Sequence, residues 1–204
     1  SVYWVGAVAF QRGQNDVAEK SFEEYKVLAE RLVAIDPGKP EWQAEVGYAY
    51  TNLGTLLVKE GRSAEAAPAF ERSLAISSAL AKATPDDAGL QLEEAQSRAW
   101  LADAREKVGS FDAAREQRMA ELAIYASVLA TDANNNDARR GELVARSALA
   151  RLSAAKGRLP EALEQLRIAT TLADSRMKTE PDNTLWTDIG ADVNAFYGEV
   201  AFRL

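Results

Sequence analysis

The sequence predicts an all-α fold, a right-handed solenoid of antiparallel helical hairpins with about nine helices, and three observations carry that expectation. A 48-residue internal repeat runs along the 204-residue chain. Between its markers apolar residues recur at three-to-four spacing, as in Leu53, Leu56 and Leu57 and again Phe70, Leu74 and Ile76 to Leu80, with no alternating strand pattern. Turn-forming residues fall twice in each repeat, so each repeat holds two helices, most of them near 20 residues.

The markers stay in register without insertion. Gly13, Gly61, Gly109 and Gly157 form one column, and Ala18, Ala66, Ala114 and Ala162 form a second. With 12 glycines in the chain, chance fills three such slots about 2 times in 10,000, so the period is real. An apolar-small pair precedes each glycine: Val5-Gly6, Leu53-Gly54, Leu101-Ala102, Leu149-Ala150 and finally Tyr197-Gly198. Pro37, Pro85 and Pro181 form a third column, with Ala133 in the remaining slot.

Each element follows from these markers. "VYWVGAVAF" has the phase of "LGTLLV", so it reads as the second half of a helix, and with no initiator Met the sequence reads as a piece of a longer protein. The column glycine supplies the left-handed residue that ends the first helix of a unit, and Asp16, Ser63 or Asp112 is placed to cap the second. In the fourth unit Pro160 suits the first helical turn. The longer breaks "DPGKPEW", "TPDDAGL", "TDANNND" and "EPDNTLW" separate the units. One repeat domain over residues 1–204 is expected, with units of approximately 1–36, 37–84, 85–132 and 133–180 and a closing helix over 181–204. The alanine column lets neighbouring helices approach closely.

Composition excludes several classes. A net charge of −7 argues against nonspecific binding to nucleic acid or an acidic membrane surface, and no apolar run is long enough to span a bilayer. Without Cys or His there is no thiol chemistry, no thiolate or imidazole metal site, and no ordinary triad around Ser147. No Walker loop, GxGxxG, HExxH or GxSxG occurs. Adjacent acidic pairs such as Glu93-Glu94 diverge by about 100° on a helix. "DANNND" lacks the glycine and distant glutamate of a calcium loop and reads as a polar turn. No catalytic residue, metal or cofactor is expected.

"TNLGTLLVKEGRSAEAAPAFERSL" resembles a tetratricopeptide (TPR) repeat unit, with Leu53-Gly54, Leu57, Gly61, Ala66, Phe70 and Leu74 in that family's order. The usual unit is 34 residues. The 14 additional ones divide evenly, lengthening each helix by about seven residues, or roughly 10 Å, without changing its face. Arg118 in place of the aromatic and Ala133 in place of the proline make the third unit the weakest match. The long units with "DPGKPEW" and "EPDNTLW" also look like the C-terminal arrays of multidomain bacterial signalling proteins.

The resemblance implies a concave groove lined by the first helix of each unit, with columns Tyr48, Gln96, Val144; Asn52, Trp100, Ala148; Thr55, Asp103, Arg151; and Lys59, Lys107, Ala155. Trp100 is either an anchor for a partner or a residue packed between units. Lys59, Asn52 and Tyr48 do not reproduce the Lys/Asn set with which some relatives clamp a C-terminal carboxylate. Arg139, Arg140, Arg146, Arg151, Lys156 and Arg158 form a basic stripe, either a docking face or a solvated one. The last helix, with Phe196, Tyr197, Val200 and Phe202, is apolar enough to expect a cover or self-association through the terminal helices. The expected function is a noncatalytic, cytoplasmic protein-interaction or oligomerisation module of a larger bacterial signalling protein, binding a protein or peptide in the groove. The alternative is a ligand-sensing repeat domain that regulates an attached effector.

Overall fold

The computed structural model describes residues 1–203, and among these it contains nine α-helices and no strand. They are α1 (Val2–Gln11), α2 (Asn15–Ile35), α3 (Pro40–Lys59), α4 (Ser63–Ala83), α5 (Ala88–Lys107), α6 (Phe111–Thr131), α7 (Asn136–Ala155), α8 (Leu159–Thr179) and α9 (Thr184–Phe202). The 48-residue period is reproduced to the residue. Pro40, Ala88, Asn136 and Thr184 open the odd helices, while Asn15, Ser63, Phe111 and Leu159 open the even ones.

The short break is built by glycine. Gly13, Gly61, Gly109 and Gly157 all sit at φ between 71° and 79°, in the left-handed region. In every case the glycine N–H donates three residues back and the next N–H five residues back, as in Gly61 to the Val58 carbonyl (3.0 Å) and Arg62 to that of Leu57 (2.8 Å). This is the Schellman closure, which satisfies the last carbonyls of the first helix. Gly61→Ala is expected to cost about 1 kcal/mol, the left-handed penalty of an L-residue, read as a shift in urea midpoint at unchanged slope.

The capping expected at this break is corrected by the structure. Ser63 is itself the first helical residue of α4 and Asp16 lies in the first turn of α2. Gln14 and Arg62 occupy the N-cap positions and make no side-chain cap bond. The reason is register: the residue after the glycine is the N-cap, and Gln14 and Arg62 stand there, so Ser63 and Asp16 fall one and two residues too late to cap. Asp16, Glu65 and Glu161 lie instead in the first turns, where a negative charge meets the positive end of the helix. The longer break does carry caps: the Asp87, Asn135 and Asn183 side chains accept from Leu90, Ala138 and Leu185 amides at 3.1, 2.9 and 3.3 Å. Pro160 stands in the first turn of α8, as its sequence position predicts.

The chain divides into two compact units, Ser1–Ser110 and a second beginning at Phe111. Within each, every helix packs against its sequence neighbours. In the first unit Leu53 and Leu56 pack with Ala9, Ala18 and Phe22, while Phe70, Ala66, Leu101 and Ala104 form a further cluster that includes Trp100 at its edge. In the second, Trp186, Leu143, Leu166, Val193 and Val200 share a core. The alanine column is fully buried in both.

The apolar-small pairs acquire a reason here. A Cβ on Gly6 would lie 2.6 Å from the Phe22 ring and one on Gly54 would lie 2.7 Å from the Phe70 ring. Each glycine is a socket for the aromatic 16 residues later. In the fourth repeat the same two positions hold Ala150 and the smaller Leu166, both buried in one core cluster. Arg118, which stands in the aromatic column, is nevertheless buried at 3% exposure, with its guanidinium 2.8 Å from the equally buried Glu121.

Candidate partner-binding clefts

Two clefts in the first unit occupy equivalent places, one repeat apart. The first lies among α3, α4 and α5 and has a volume of about 110 Å³. Gly47, Ser73 and Ile76 form its inner wall, and Tyr48, Gln96 and Trp100 its mouth. The Trp100 ring stacks on Phe70 at 6.2 Å and 11° between planes, so packing fixes its orientation. The wall hydroxyls are already satisfied: Thr51 and Ser73 share a bond of 2.8 Å, and Ser97 donates to the Glu93 carbonyl at 3.0 Å. What remains is a small space with bonded polar walls, suited to an apolar group.

The second cleft, about 500 Å³, lies among α1, α2 and α3. Its Tyr3, Tyr25, Glu45, Tyr48 and Asn52 are 48 residues before Thr51, Ser73, Glu93, Gln96 and Trp100. Tyr25 donates to Glu45, and Tyr48 donates to Glu93 at 2.7 Å. Burial pushes the Tyr48 phenol up to about 12, helped by its bond to the Glu93 carboxylate. Tyr25 is raised still further, by burial first and then by Glu45. A phenol raised in the folded state stays protonated while the unfolded chain ionises, so its contribution is full below about pH 10, the ordinary tyrosine value, and lost as pH rises through about 12. Melting temperature should therefore fall steeply from pH 10 to 12, and a Tyr25→Phe, Tyr48→Phe variant should flatten that fall.

Of the residues picked from the groove pattern, Tyr48, Gln96 and Trp100 meet in one cleft, and Tyr48 and Asn52 meet in the other. Thr55 points its hydroxyl to the Thr51 carbonyl at 2.8 Å and lines neither. Lys59 donates to the Phe10 carbonyl at 2.6 Å and lies 4.1 Å from that ring, so it ties down the end of α1. Asp103 is half-buried and Lys107 exposed on α5. Arg151 and Val144 are exposed on α7 in the other unit, whereas Ala148 is buried in that unit. The clefts also hold Tyr3, Trp4, Tyr25, Glu45 and Glu93, none of which is named in the columns predicted from the sequence. Trp4 stands one period before Asn52, Tyr3, Glu45 and Glu93 stand on first helices but outside the four predicted columns, and Tyr25 stands on a second helix, α2, which the groove pattern does not include.

The basic stripe is largely neutralised within its own unit. Arg146 pairs with Glu142 at 2.7 Å, and Lys156 and Arg158 both reach Asp112, at 3.3 and 3.6 Å. On α9, Val200 is buried and Phe196 packs on the core, while Phe202 is 92% exposed.

No family model matches the sequence, and no curated protein matches it either. Solved structures do match. BtubC from P. vanneervenii superposes with a TM-score of 0.66 at 17% identity, over 93% of this chain and 66% of its own length. The apo form of RapI gives 0.63 at 14% identity, over 97% and 68%. A P. anserina kinesin light chain with nearly identical TPR-like repeats gives 0.61 at 21% identity, over 98% and 88%. The fold is that of TPR-like helical repeats. This chain spans about two thirds of the first two proteins. Among the described residues, no helix is long and apolar enough to cross a membrane.

Proposed function

We propose that this chain is a noncatalytic interaction module of a larger bacterial signalling protein, and that it seats an extended segment of a partner across the two clefts. The observation that carries this reading is the cleft beneath Trp100. Its ring is held by Phe70, three helices wall the space, and about 110 Å³ is open to one side chain of moderate size. An engineered apolar cavity of about 150 Å³ takes up benzene, so a branched aliphatic side chain is the right scale.

Peptides selected from a random library on the intact protein provide the test. Trp100→Ala should weaken their binding about 30-fold, the scale of an interface hot spot. Gly47→Leu is the partner variant, because Gly47 lines the cleft and a Cβ there lies at ordinary contact distance, 3.5 Å from Ile76. Calorimetry should show binding lost in both variants at unchanged far-UV helicity. Selected peptides that bind Gly47→Leu as tightly as the original protein would overturn the reading.

A second role, self-association through the terminal helices, is favoured by the exposed Phe202 ring. Deleting α9 is a poor test, since Trp186, Val193 and Val200 are core residues. Light scattering of Phe202→Ser against the parent chain separates the cases: an unchanged mass excludes the ring from any interface.

A further inference from the structure

We infer that the cleft beneath Trp100 receives the first residue of its partner chain, with an aliphatic side chain in the apolar space and the free α-ammonium group on the Glu93 carboxylate. This rests on the reading of that cleft as a peptide seat. Its lining residues run from Ala44 to Trp100, so every wall belongs to α3, α4 or α5. Depth orders them. Gly47 is buried, Ser73 is 3% exposed and Leu80 5%, whereas Tyr48 is 43% exposed and Gln96 is exposed as well. Glu93 is half-buried and accepts the Tyr48 hydroxyl at 2.7 Å, which sets its carboxylate at the rim. The apolar surface lies below it.

The charge at the rim has no counterpart nearby. Among the described residues, Glu93 is the one charged side chain lining the cleft, and it enters no ion pair. Its hydrogen-bond partner is a neutral phenol, which holds the carboxylate in place without neutralising it. Helix packing does not call for an acid here, because one and two periods on the same position holds Gly141 and Ile189. A Cβ on Gly141 would lie 2.2 Å from the Tyr125 ring, so packing takes up that slot. A fixed carboxylate beside an apolar notch is complementary to a cation joined to an aliphatic group.

Three carriers present those two groups together, and the lining separates them. The first residue of a chain holds both on one carbon, so its side chain enters the notch while its ammonium stays at the rim. A lysine would carry its charge past the rim toward Gly47 and Leu80, where an ammonium has neither water nor a carboxylate. A free amino acid would bring its own carboxylate, and among the described residues no Lys or Arg lines the cleft to receive it. A peptide-linked first residue has no such group. The chain's net charge of −7 favours approach of a positively charged peptide end.

The test uses small probes on the intact protein. Leu-Ala-Ala amide, its N-acetyl form, acetyl-Lys-Ala-Ala amide and free leucine are titrated at constant ionic strength while the Trp100 indole N–H signal, assigned with Trp100→Phe, is followed by NMR. Saturable binding of Leu-Ala-Ala amide, at least tenfold weaker after acetylation, is the expected result. Glu93→Gln keeps an acceptor for the Tyr48 hydroxyl and loses only the charge. It should weaken the free-amine peptide at least tenfold and leave the acetylated one unchanged. Equal binding of the acetylated form, or undiminished binding in Glu93→Gln, would overturn the amine capture and leave the cleft as a seat for an internal segment. Acetyl-Lys-Ala-Ala amide bound as tightly as Leu-Ala-Ala amide would move the ammonium to a side chain, and free leucine bound as tightly would make an amino acid the ligand; either overturns the inference. So does the lack of any saturable shift, whereas the peptide seat itself stands or falls with the library-selected peptides.

Discussion

Trp186→Ala is expected to lower the stability of the unit beginning at Phe111 by about 3–5 kcal/mol, the cost of truncating a large aromatic side chain in a packed core. Trp186 is 1% exposed and shares its cluster with Leu143, Leu166 and Val193, which come from α7, α8 and α9. The substitution therefore removes the largest side chain of a core to which three helices contribute. It also removes a donor: the indole N–H reaches Glu180 at 2.8 Å, and Glu180 also receives Asn183 at 3.0 Å, so the break before α9 is organised around that bond. Urea denaturation followed by circular dichroism should show a transition of reduced midpoint. Trp186→Phe should recover most of the loss. A change below about 1 kcal/mol, within the range of ordinary surface substitutions, would mean that α9 contributes little to the core.

The helices were legible because one physical requirement repeats. A hairpin that cannot bury its own faces must stack on the next, and stacking at constant geometry demands constant length, so the glycine, alanine and apolar-small columns locate every break. The caps were less legible. Ser63 and Asp16 are good capping residues, but whether a side chain caps depends on its register, and the Schellman closure sets the N-cap at Arg62 and Gln14, one and two residues earlier. Lys59 shows a similar limit: its position on α3 was predictable, but its attachment to Phe10 depends on how α1 ends beside it. The clefts were half legible. Periodicity gives the face on which Tyr48 and Trp100 lie, yet it cannot say that Tyr25, on the other helix of the hairpin, meets Glu45 across 20 residues. Arg118 follows the same logic. It is a departure from the aromatic column in sequence, and in the structure its charge is met by Glu121 one turn along.

Gly54→Val is expected to cost about 3 kcal/mol, the upper part of the range for overpacking, although valine has better helix propensity than glycine. The reason is the socket. A Cβ on Gly54 would lie 2.7, 2.8 and 2.9 Å from three atoms of the Phe70 ring, and Phe70 is 1% exposed with Trp100 stacked against it. The ring has no free side toward which to retreat. In the fourth repeat the same two positions carry Ala150 and Leu166, a larger residue at the socket position with a smaller one at the ring position. Gly54→Ala alone should therefore destabilise, Phe70→Leu alone should leave a void, and the two together should recover about 1–2 kcal/mol relative to their sum in a double-mutant cycle. Additivity within about 0.5 kcal/mol would show that socket and ring are energetically independent. The cycle also bears on binding, because Phe70 is what orients Trp100. If Gly54→Ala displaces the Phe70 ring, the emission of Trp100 and peptide affinity should both change in that variant. Both should return toward the parent values in the double variant only to the extent that leucine can support the indole as phenylalanine does.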